Sequence, residues 1–189
     1  LEDISLFLSL NSFSILVPSD AHEAQAAVEL AVNTEGPFYV RLSRPALPIF
    51  NDKNISLKHG GSKTVYETGS DVSILTYGYM VYPAIEAAKE LKEVHGINAR
   101  VVNMYSLRPL DEDTILKCSQ DSKFILTVEE HFKYGGLHSL VSQYLSQHNP
   151  SKVLSISMTD YAESGTTEEL VNKYGLNSAN IVKTTLGNI

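Results

Sequence analysis

The regular alternation of apolar runs with amphipathic segments between residues 69 and 158 constrains the fold of this chain most strongly. Four runs are apolar over nearly their whole length and short enough to be strands, namely Val72–Thr76, Ala99–Tyr105, Phe124–Val128 and Val153–Met158. Such runs are typical of parallel strands that are buried on both faces. The segments between them carry apolar residues at helical spacing. The sequence therefore predicts a doubly wound α/β domain with a mainly parallel sheet and right-handed crossovers.

Capping residues mark the ends of two predicted helices. Gly96 follows the amphipathic segment Tyr79–His95, at the position where a left-handed C-cap belongs. Asp111 is the expected N-cap of a short helix within Leu110–Ser119. The remaining expected elements are an edge strand at Lys63–Glu67, a helix after Gly135-Gly136, and short helices at Glu168–Tyr174 and Ser178–Thr185.

Residues 1–50 are expected to be the last part of a second α/β domain. Asp20 and Glu23 have the spacing of a capping box at the start of one helix. The expected elements are a helix in Leu1–Leu10, a strand at Ser14–Val17, a helix at Ala21–Asn33 and a strand at Phe38–Leu42. Two parallel strands with one covering helix are not a stable sheet, so the rest of this domain is expected to be missing or supplied by another chain. Residues 51–61 are interpreted as a linker and residues 62–189 as the doubly wound domain.

The composition excludes several classes of function. The net charge of −7 and the pI near 5.3 argue against nucleic acid as a partner. No apolar run is long enough for a membrane span, and we expect no membrane partner. The only cysteine, Cys118, excludes an internal disulfide and the usual thiolate zinc sites, and we interpret it as a buried structural thiol. The expected compartment is the cytoplasm.

The segment after the predicted strand Phe38–Leu42 is the best candidate binding site. Arg41 and Arg44, two of only four arginines, stand where a parallel strand ends, and ligands bind at that edge of open α/β sheets. A guanidinium can grip a phosphate or carboxylate with two parallel hydrogen bonds. Ser43 adds a hydroxyl, and Pro45 keeps the preceding residues extended. The alternative is that both arginines form ordinary ion pairs with acidic residues.

Two further groups of polar residues are weaker candidates. Glu129, Glu130 and His131 end a predicted strand and suggest a metal site or an acid–base pair. Because adjacent strand residues point to opposite faces, at most two of the three can converge, and an interface or loop-anchoring role is the alternative. Arg108 can hold an anion or pair with Asp111 or Asp113. The chain has no dinucleotide fingerprint, phosphate loop or nucleophile elbow.

Six motifs in order resemble the carboxyl-terminal part of transketolases. They are Leu-Glu-Asp-Ile at 1–4, Pro-Ser-Asp at 18–20, Val-Arg-Leu-Ser-Arg-Pro at 40–45, Gly-Ser-Asp-Val-Ser-Ile-Leu at 69–75, Ser-Leu-Arg-Pro-Leu-Asp at 106–111, and Thr-Val-Glu-Glu-His followed by Gly-Gly at 127–136. The resemblance covers essentially the whole chain. Residues 1–50 are similar to the end of the domain that binds the thiamine pyrimidine ring, and residues 62–189 are similar to the family's C-terminal domain.

The resemblance implies an enzyme of the pentose phosphate pathway that moves a two-carbon ketol unit between sugar phosphates. Thiamine diphosphate and a divalent metal, Mg or Ca, would be held by an N-terminal portion or subunit, with which this chain would form part of a homodimer. Arg44 matches the arginine that binds the terminal phosphate of the substrate, whereas Arg41 would only brace the site. Glu129 and His131 would contribute to a dimer or domain contact. The family's activating glutamate lies upstream of Leu1, so this chain alone is expected to be inactive, with no catalytic, cofactor-binding or metal-binding residue.

Two alternatives of the same architecture remain open, together with one of another class. A 1-deoxyxylulose-5-phosphate synthase or the β subunit of a 2-oxoacid dehydrogenase would have a similar arrangement, although Ser43-Arg44 favours a phosphorylated substrate and so disfavours the dehydrogenase. The third alternative is a non-catalytic module, in which residues 62–189 serve dimerisation or assembly and Arg44 is incidental.

Overall fold

The computed structural model describes residues 1–189 as two sheets with helices packed around them. The strands are β1 (Ser14–Leu16), β2 (Phe38–Val40), β3 (Lys63–Glu67), β4 (Val72–Thr76), β5 (Ala99–Asn103), β6 (Ser106–Arg108), β7 (Phe124–Phe132) and β8 (Val153–Met158). The helices are α1 (Asp3–Ser9), α2 (Ala21–Val32), α3 (Val81–His95), α4 (Glu112–Asp121), α5 (Leu137–His148), α6 (Thr167–Lys173) and α7 (Ser178–Leu186).

The larger sheet confirms the predicted α/β fold class. Its five strands lie in the order β3-β5-β4-β7-β8. The pairs β4–β5, β4–β7 and β7–β8 are parallel, and β3 pairs antiparallel with β5 at one edge. The central strand β4 is buried at every position, as expected for a strand covered on both faces.

Neighbouring residues of the central strands contribute to two different hydrophobic cores. On one face, Ile74 packs in a cluster with residues of α3 and α7. On the other face, Leu75 packs with residues of α4 and α5. This second cluster also contains Ile4 and Ile15 from the first fifty residues. The two parts of the chain therefore share one core, which fixes β1 and β2 relative to the larger sheet.

The smaller sheet contains a strand that the sequence did not predict. Its order is β2-β1-β6, with β1 parallel to β2 and antiparallel to β6. The strand predicted over Ala99–Tyr105 is present as β5, but it ends two residues early, at Asn103, and the chain then enters β6. A three-residue strand has no periodicity of its own, and Ser106–Arg108 is extended because it pairs with β1. A strand from the second half of the chain thereby completes the sheet of the first half.

The start of α2 differs in detail from a capping box. Asp20 accepts a hydrogen bond from the Glu23 N–H at 2.9 Å, as expected of an N-cap. The Glu23 carboxylate accepts instead from Ser19 N at 2.6 Å and from the Asn103 amide of β5 at 2.8 Å. Asp20 also accepts from Asn51 N at 2.8 Å, which attaches the segment after β2 to this helix.

The apolar face of α2 is only partly buried. Ala27 is fully buried, but Val28 is 52% exposed and Val32 is 79% exposed. Valine side chains at helical spacing normally pack against a core. No element of the chain covers Val28 and Val32, so this half of the apolar face is exposed.

Candidate functional site

A cavity of about 780 Å³ opens where β2 ends, and Arg44 stands in its wall. The cavity lies between the segment after β2 and the helix α6. Its other lining side chains include Asp3, Arg41, Glu130, Tyr79 and Tyr174. Arg44 is exposed and forms no ion pair or hydrogen bond with another residue of the chain. The Arg44 guanidinium therefore has no partner within the chain and lines a cavity of the size that binds small molecules.

Arg41 has the opposite environment, although it precedes Arg44 by only three residues. Its side chain is 17% exposed, and its Nε donates to Asp3 Oδ2 at 2.8 Å. Its Nη2 donates to the Glu130 carbonyl at 3.1 Å, and its Nη1 lies 3.5 Å from Glu130 Oε2. Arg41 thus joins β2 to α1 and β7.

Asp3 is held in place by a second donor. Tyr39 of β2 donates its hydroxyl hydrogen to Asp3 Oδ2 at 2.8 Å, and its ring stacks on Phe7 with the centroids 3.9 Å apart. Burial alone would raise the pKa of Asp3, but Arg41 and Tyr39 outweigh it and hold that pKa below its usual range. No sequence pattern indicates the Asp3–Arg41 pair, because the two residues are 38 positions apart.

Glu129 is fully buried and caps the start of α5. Its carboxylate accepts hydrogen bonds from Leu137 N at 2.7 Å, His138 N at 2.9 Å and the Tyr77 hydroxyl at 3.0 Å. Burial raises the pKa of Glu129 to about 7, and the three donors and the nearby Arg41 only partly oppose this rise. Glu129 therefore anchors the turn before α5, which is the loop-anchoring alternative of the sequence analysis.

The two glycines between β7 and α5 make this close approach possible. A Cβ atom on Gly136 would clash with Glu129 Oε2 and would lie 2.9 Å from His131 Nδ1. Gly135 has a φ of 82°, a conformation that side chains with a Cβ rarely adopt. Gly136 is thus required by packing around Glu129, and Gly135 by its backbone conformation.

Glu129 and His131 lie on the buried side of β7, whereas Glu130 faces the cavity. His131 is fully buried, with its Nδ1 2.8 Å from the Phe132 carbonyl and its Nε2 without a partner. Burial lowers the pKa of His131. At most two of the three polar residues converge, as the strand geometry predicted, and the third contributes to the wall that contains Arg44.

The remaining candidate residues have structural partners. Arg108 donates to the carbonyls of Leu8 and Leu10 at the end of α1, so the expected pairing with Asp111 or Asp113 is wrong. Cys118 is buried, and burial raises the pKa of its thiol. This environment does not favour a thiolate nucleophile.

The structure has no group of three histidine, cysteine, aspartate or glutamate side chains arranged to hold a metal ion. The most deeply buried carboxylate near the cavity, Glu129, already accepts three hydrogen bonds. The residues of this chain therefore do not fit a metal–diphosphate site. None of the helices is both long enough and apolar enough to cross a membrane.

Comparison with known proteins relates the whole chain to one family. The family model "Transketolase, C-terminal domain" matches residues 60–181. The chain is 35% identical over 188 residues to an apulose-4-phosphate transketolase subunit of Phocaeicola vulgatus, a match that covers 98% of this chain and 59% of that protein. It is 33% identical over 189 residues to transketolase of Rattus norvegicus, covering 99% of this chain and 30% of that protein.

A solved structure shows the same relationship. The chain superimposes with a TM-score of 0.94 and 35% identity on a split gene transketolase described as an inactive beta4 tetramer, covering 99% of this chain and 61% of that one. The chain therefore spans less than two thirds of the length of each of these relatives.

Proposed function

The chain belongs to the transketolase family, and we propose that it acts as the C-terminal portion or subunit of an enzyme that transfers a two-carbon ketol unit between sugar phosphates. The observation that carries the proposal is the free guanidinium of Arg44 in the wall of a large cavity, in a chain aligned over 98% of its length with a transketolase subunit. The proposed division is residues 1–50 as the end of the pyrimidine-binding domain, 51–61 as a linker and 62–189 as the C-terminal domain.

Thiamine diphosphate and the divalent metal belong, in this proposal, to the N-terminal portion. The use of Glu129 as a helix cap supports that assignment, because this buried carboxylate is already committed to the backbone of α5. The cofactor would supply the chemistry of ketol transfer there. The residues of this chain would bind and orient the sugar phosphate, and the chain alone would be inactive.

Arg44 is the proposed ligand of the terminal phosphate of the substrate. Its guanidinium can donate two parallel hydrogen bonds to phosphate oxygens, a geometry that suits arginine better than lysine. Arg44 makes no contact with an acidic group of the chain. It can therefore bind a phosphate without first breaking an ion pair. Ser43 in the same wall adds a hydroxyl donor.

The proposed partners are an N-terminal portion or subunit and a second copy of the assembly, giving a homodimer in the cytoplasm. The exposed valines of α2, Val28 and Val32, support such a partner, because an unpacked apolar helix face is typical of a surface covered by another domain. The relative described as an inactive beta4 tetramer supports self-association without activity for a β portion on its own.

The other enzymes of similar architecture are less well supported. The relatives described above are transketolases, rather than 1-deoxyxylulose-5-phosphate synthases or 2-oxoacid dehydrogenase β subunits. A free arginine at the cavity also fits a phosphorylated substrate better than a 2-oxoacid that carries no phosphate. Transketolase therefore remains the proposed activity.

The experiment is a comparison of Arg44→Gln with wild type in the enzyme reconstituted from both portions. The KM for ribose 5-phosphate and the KM for ribose are measured separately, and assembly is followed by analytical ultracentrifugation. Loss of hydrogen bonds to a charged phosphate should raise the KM for ribose 5-phosphate about tenfold or more, with the KM for ribose unchanged. The control is Lys89→Gln, which removes one positive charge from the surface pair with Glu86.

Each outcome decides between the enzyme and the non-catalytic module. A rise in KM that is confined to the phosphorylated sugar, with normal assembly, supports the proposed role of Arg44. Impaired assembly with unchanged discrimination between the two sugars would instead mean that this segment serves only association.

A further inference from the structure

The cavity that contains Arg44 also contains negative charges that are unfavourable for the binding of a phosphate. Two carboxylates, Asp3 and Glu130, line the same cavity. Carboxylates in a site repel an incoming anion, and an exposed arginine can form an ion pair with a nearby carboxylate. Some other group must keep both carboxylates away from Arg44 and from the phosphate.

Arg41 contacts both carboxylates at once. Its Nε donates to Asp3 at 2.8 Å, and its Nη1 lies 3.5 Å from the Glu130 carboxylate. The two ends of the guanidinium therefore hold two anions that come from different elements, α1 and β7. Burial alone would lower the pKa of Arg41, but Tyr77, Asp3 and Glu130 together outweigh burial and raise it, so the positive charge is present throughout the physiological range.

The backbone of Arg41 is fixed as firmly as its side chain. Its N–H donates to the Leu16 carbonyl of β1 at 2.9 Å, which extends the parallel pairing beyond the last residue of β2. The Glu130 carbonyl accepts from Nη2 at 3.1 Å. Three residues later the chain reaches Arg44, whose side chain has no such anchor. Arg41 is therefore the last anchored residue before Arg44, the proposed phosphate-binding residue.

We propose that Arg41 is a specificity-determining positioning residue, which holds Asp3 and Glu130 so that Arg44 remains free to select phosphorylated sugars. This inference rests on the proposed function of Arg44. In this arrangement Arg41 does not touch the substrate. With Arg41 removed, neither Asp3 nor Glu130 would have an arginine partner, although Asp3 would keep its hydrogen bond from Tyr39. Glu130 would then compete with the phosphate for Arg44.

The test uses the reconstituted enzyme with ribose 5-phosphate and ribose as paired probes. The variants are Arg41→Gln, Arg41→Lys, the double variant Arg41→Gln/Glu130→Gln, Arg44→Gln and the control Lys89→Gln. The measured quantity is the ratio of kcat/KM for ribose 5-phosphate to that for ribose, with KM and kcat recorded separately. The thermal midpoint is recorded for each variant.

Arg41→Gln should lower this ratio about fivefold through the KM for ribose 5-phosphate, as expected from the energy of a partly exposed ion pair. The double variant should recover most of the ratio, because the competing carboxylate is gone, even if its thermal midpoint stays low. Arg41→Lys keeps the positive charge but lacks the planar guanidinium with its several donors, so its ratio should lie between those of wild type and Arg41→Gln. If Arg41→Gln does not fold, the difference between Arg41→Lys and wild type decides.

The opposing outcomes are distinct. If Arg44→Gln lowers the ratio but neither Arg41 variant does, the proposal for Arg41 is wrong and the function of Arg44 stands. If Arg41→Gln lowers the ratio and the double variant does not recover it, Arg41 acts only by holding the fold, and the proposal is also wrong. If Arg44→Gln has no effect on the ratio, the proposed function fails and this inference fails with it.

Discussion

Replacing Glu129 by glutamine should change how the stability of the protein depends on pH. Glu129 is fully buried at the start of α5 and faces Tyr77, Leu137 N and His138 N. Burial raises its pKa to about 7 from the ordinary value of 4.5. The folded state therefore binds a proton on Glu129 in a pH range where the unfolded chain has already lost it.

The size of the effect follows from these two values. A carboxyl group with a raised pKa makes its full favourable contribution below pH 4.5 and loses it as the pH rises to about 7. The difference of about 2.5 pKa units corresponds to about 3 kcal/mol of unfolding free energy. Glutamine does not titrate, so the variant should lack this loss.

The assay is urea denaturation of wild type and Glu129→Gln at intervals between about pH 5 and pH 8. Histidines such as His131 also titrate in this range, but both proteins contain them, so the difference between the two curves isolates Glu129. The unfolding free energy of wild type minus that of the variant should fall by about 2.5 kcal/mol from about pH 5 to pH 8, since part of the total change lies below pH 5. A difference that is flat, or that rises with pH, would mean that the three donors and the α5 dipole outweigh burial.

Three further substitutions test separate parts of the structure. Gly136→Ala should lower the unfolding free energy by about 1 to 3 kcal/mol, since its Cβ would clash with Glu129 Oε2. The matched control in the same denaturation assay is Gly165→Ala, whose Cβ would be no closer than 3.4 Å to its neighbours. Equal losses of unfolding free energy in the two variants would contradict the role of Gly136 in packing. Gly96→Ala should cost about 1 kcal/mol by thermal denaturation, because Gly96 ends α3 with a φ of 67°, and an unchanged midpoint would refute this. Arg108→Ala should speed amide hydrogen exchange in α1, because Arg108 donates hydrogen bonds to the carbonyls of Leu8 and Leu10. Exchange in α5 should not change. Equal changes in both helices would contradict a local role of Arg108.

The larger sheet could be predicted from the sequence because its signals are local. Four apolar runs and the helices between them have the periodicity of buried parallel strands and amphipathic helices, and the structure has β4, β5, β7 and β8 at those positions. The C-cap Gly96 and the N-cap Asp111 are likewise set by neighbouring residues, and both are confirmed.

The features that were missed depend on contacts between distant residues. Ser106–Arg108 is a strand only because β1 lies beside it. The exposure of Val28 and Val32 depends on what packs against α2, which no periodicity reveals. Glu129 was noticed, but its use as the cap of α5 required the turn through Gly135 and Gly136.

The candidate site likewise has one residue that a local pattern identifies and others that depend on contacts between distant residues. Arg44 could be selected from the sequence because it follows a strand and matches a family motif. The partners of Arg41 could not, since Asp3 and Glu130 are 38 and 89 positions away. A pattern in one sequence identifies the type of residue at a site, but the charges around it are set by the folded chain.

The most direct test of the central claim measures ketol transfer between sugar phosphates with this chain and an N-terminal transketolase portion, separately and mixed, in the presence of thiamine diphosphate and Mg²⁺. We expect no transfer by either portion alone and transfer by the mixture, accompanied by formation of a complex. Transfer by the N-terminal portion alone at the rate of the mixture, or a complex that forms but transfers no ketol unit, would refute the proposed function.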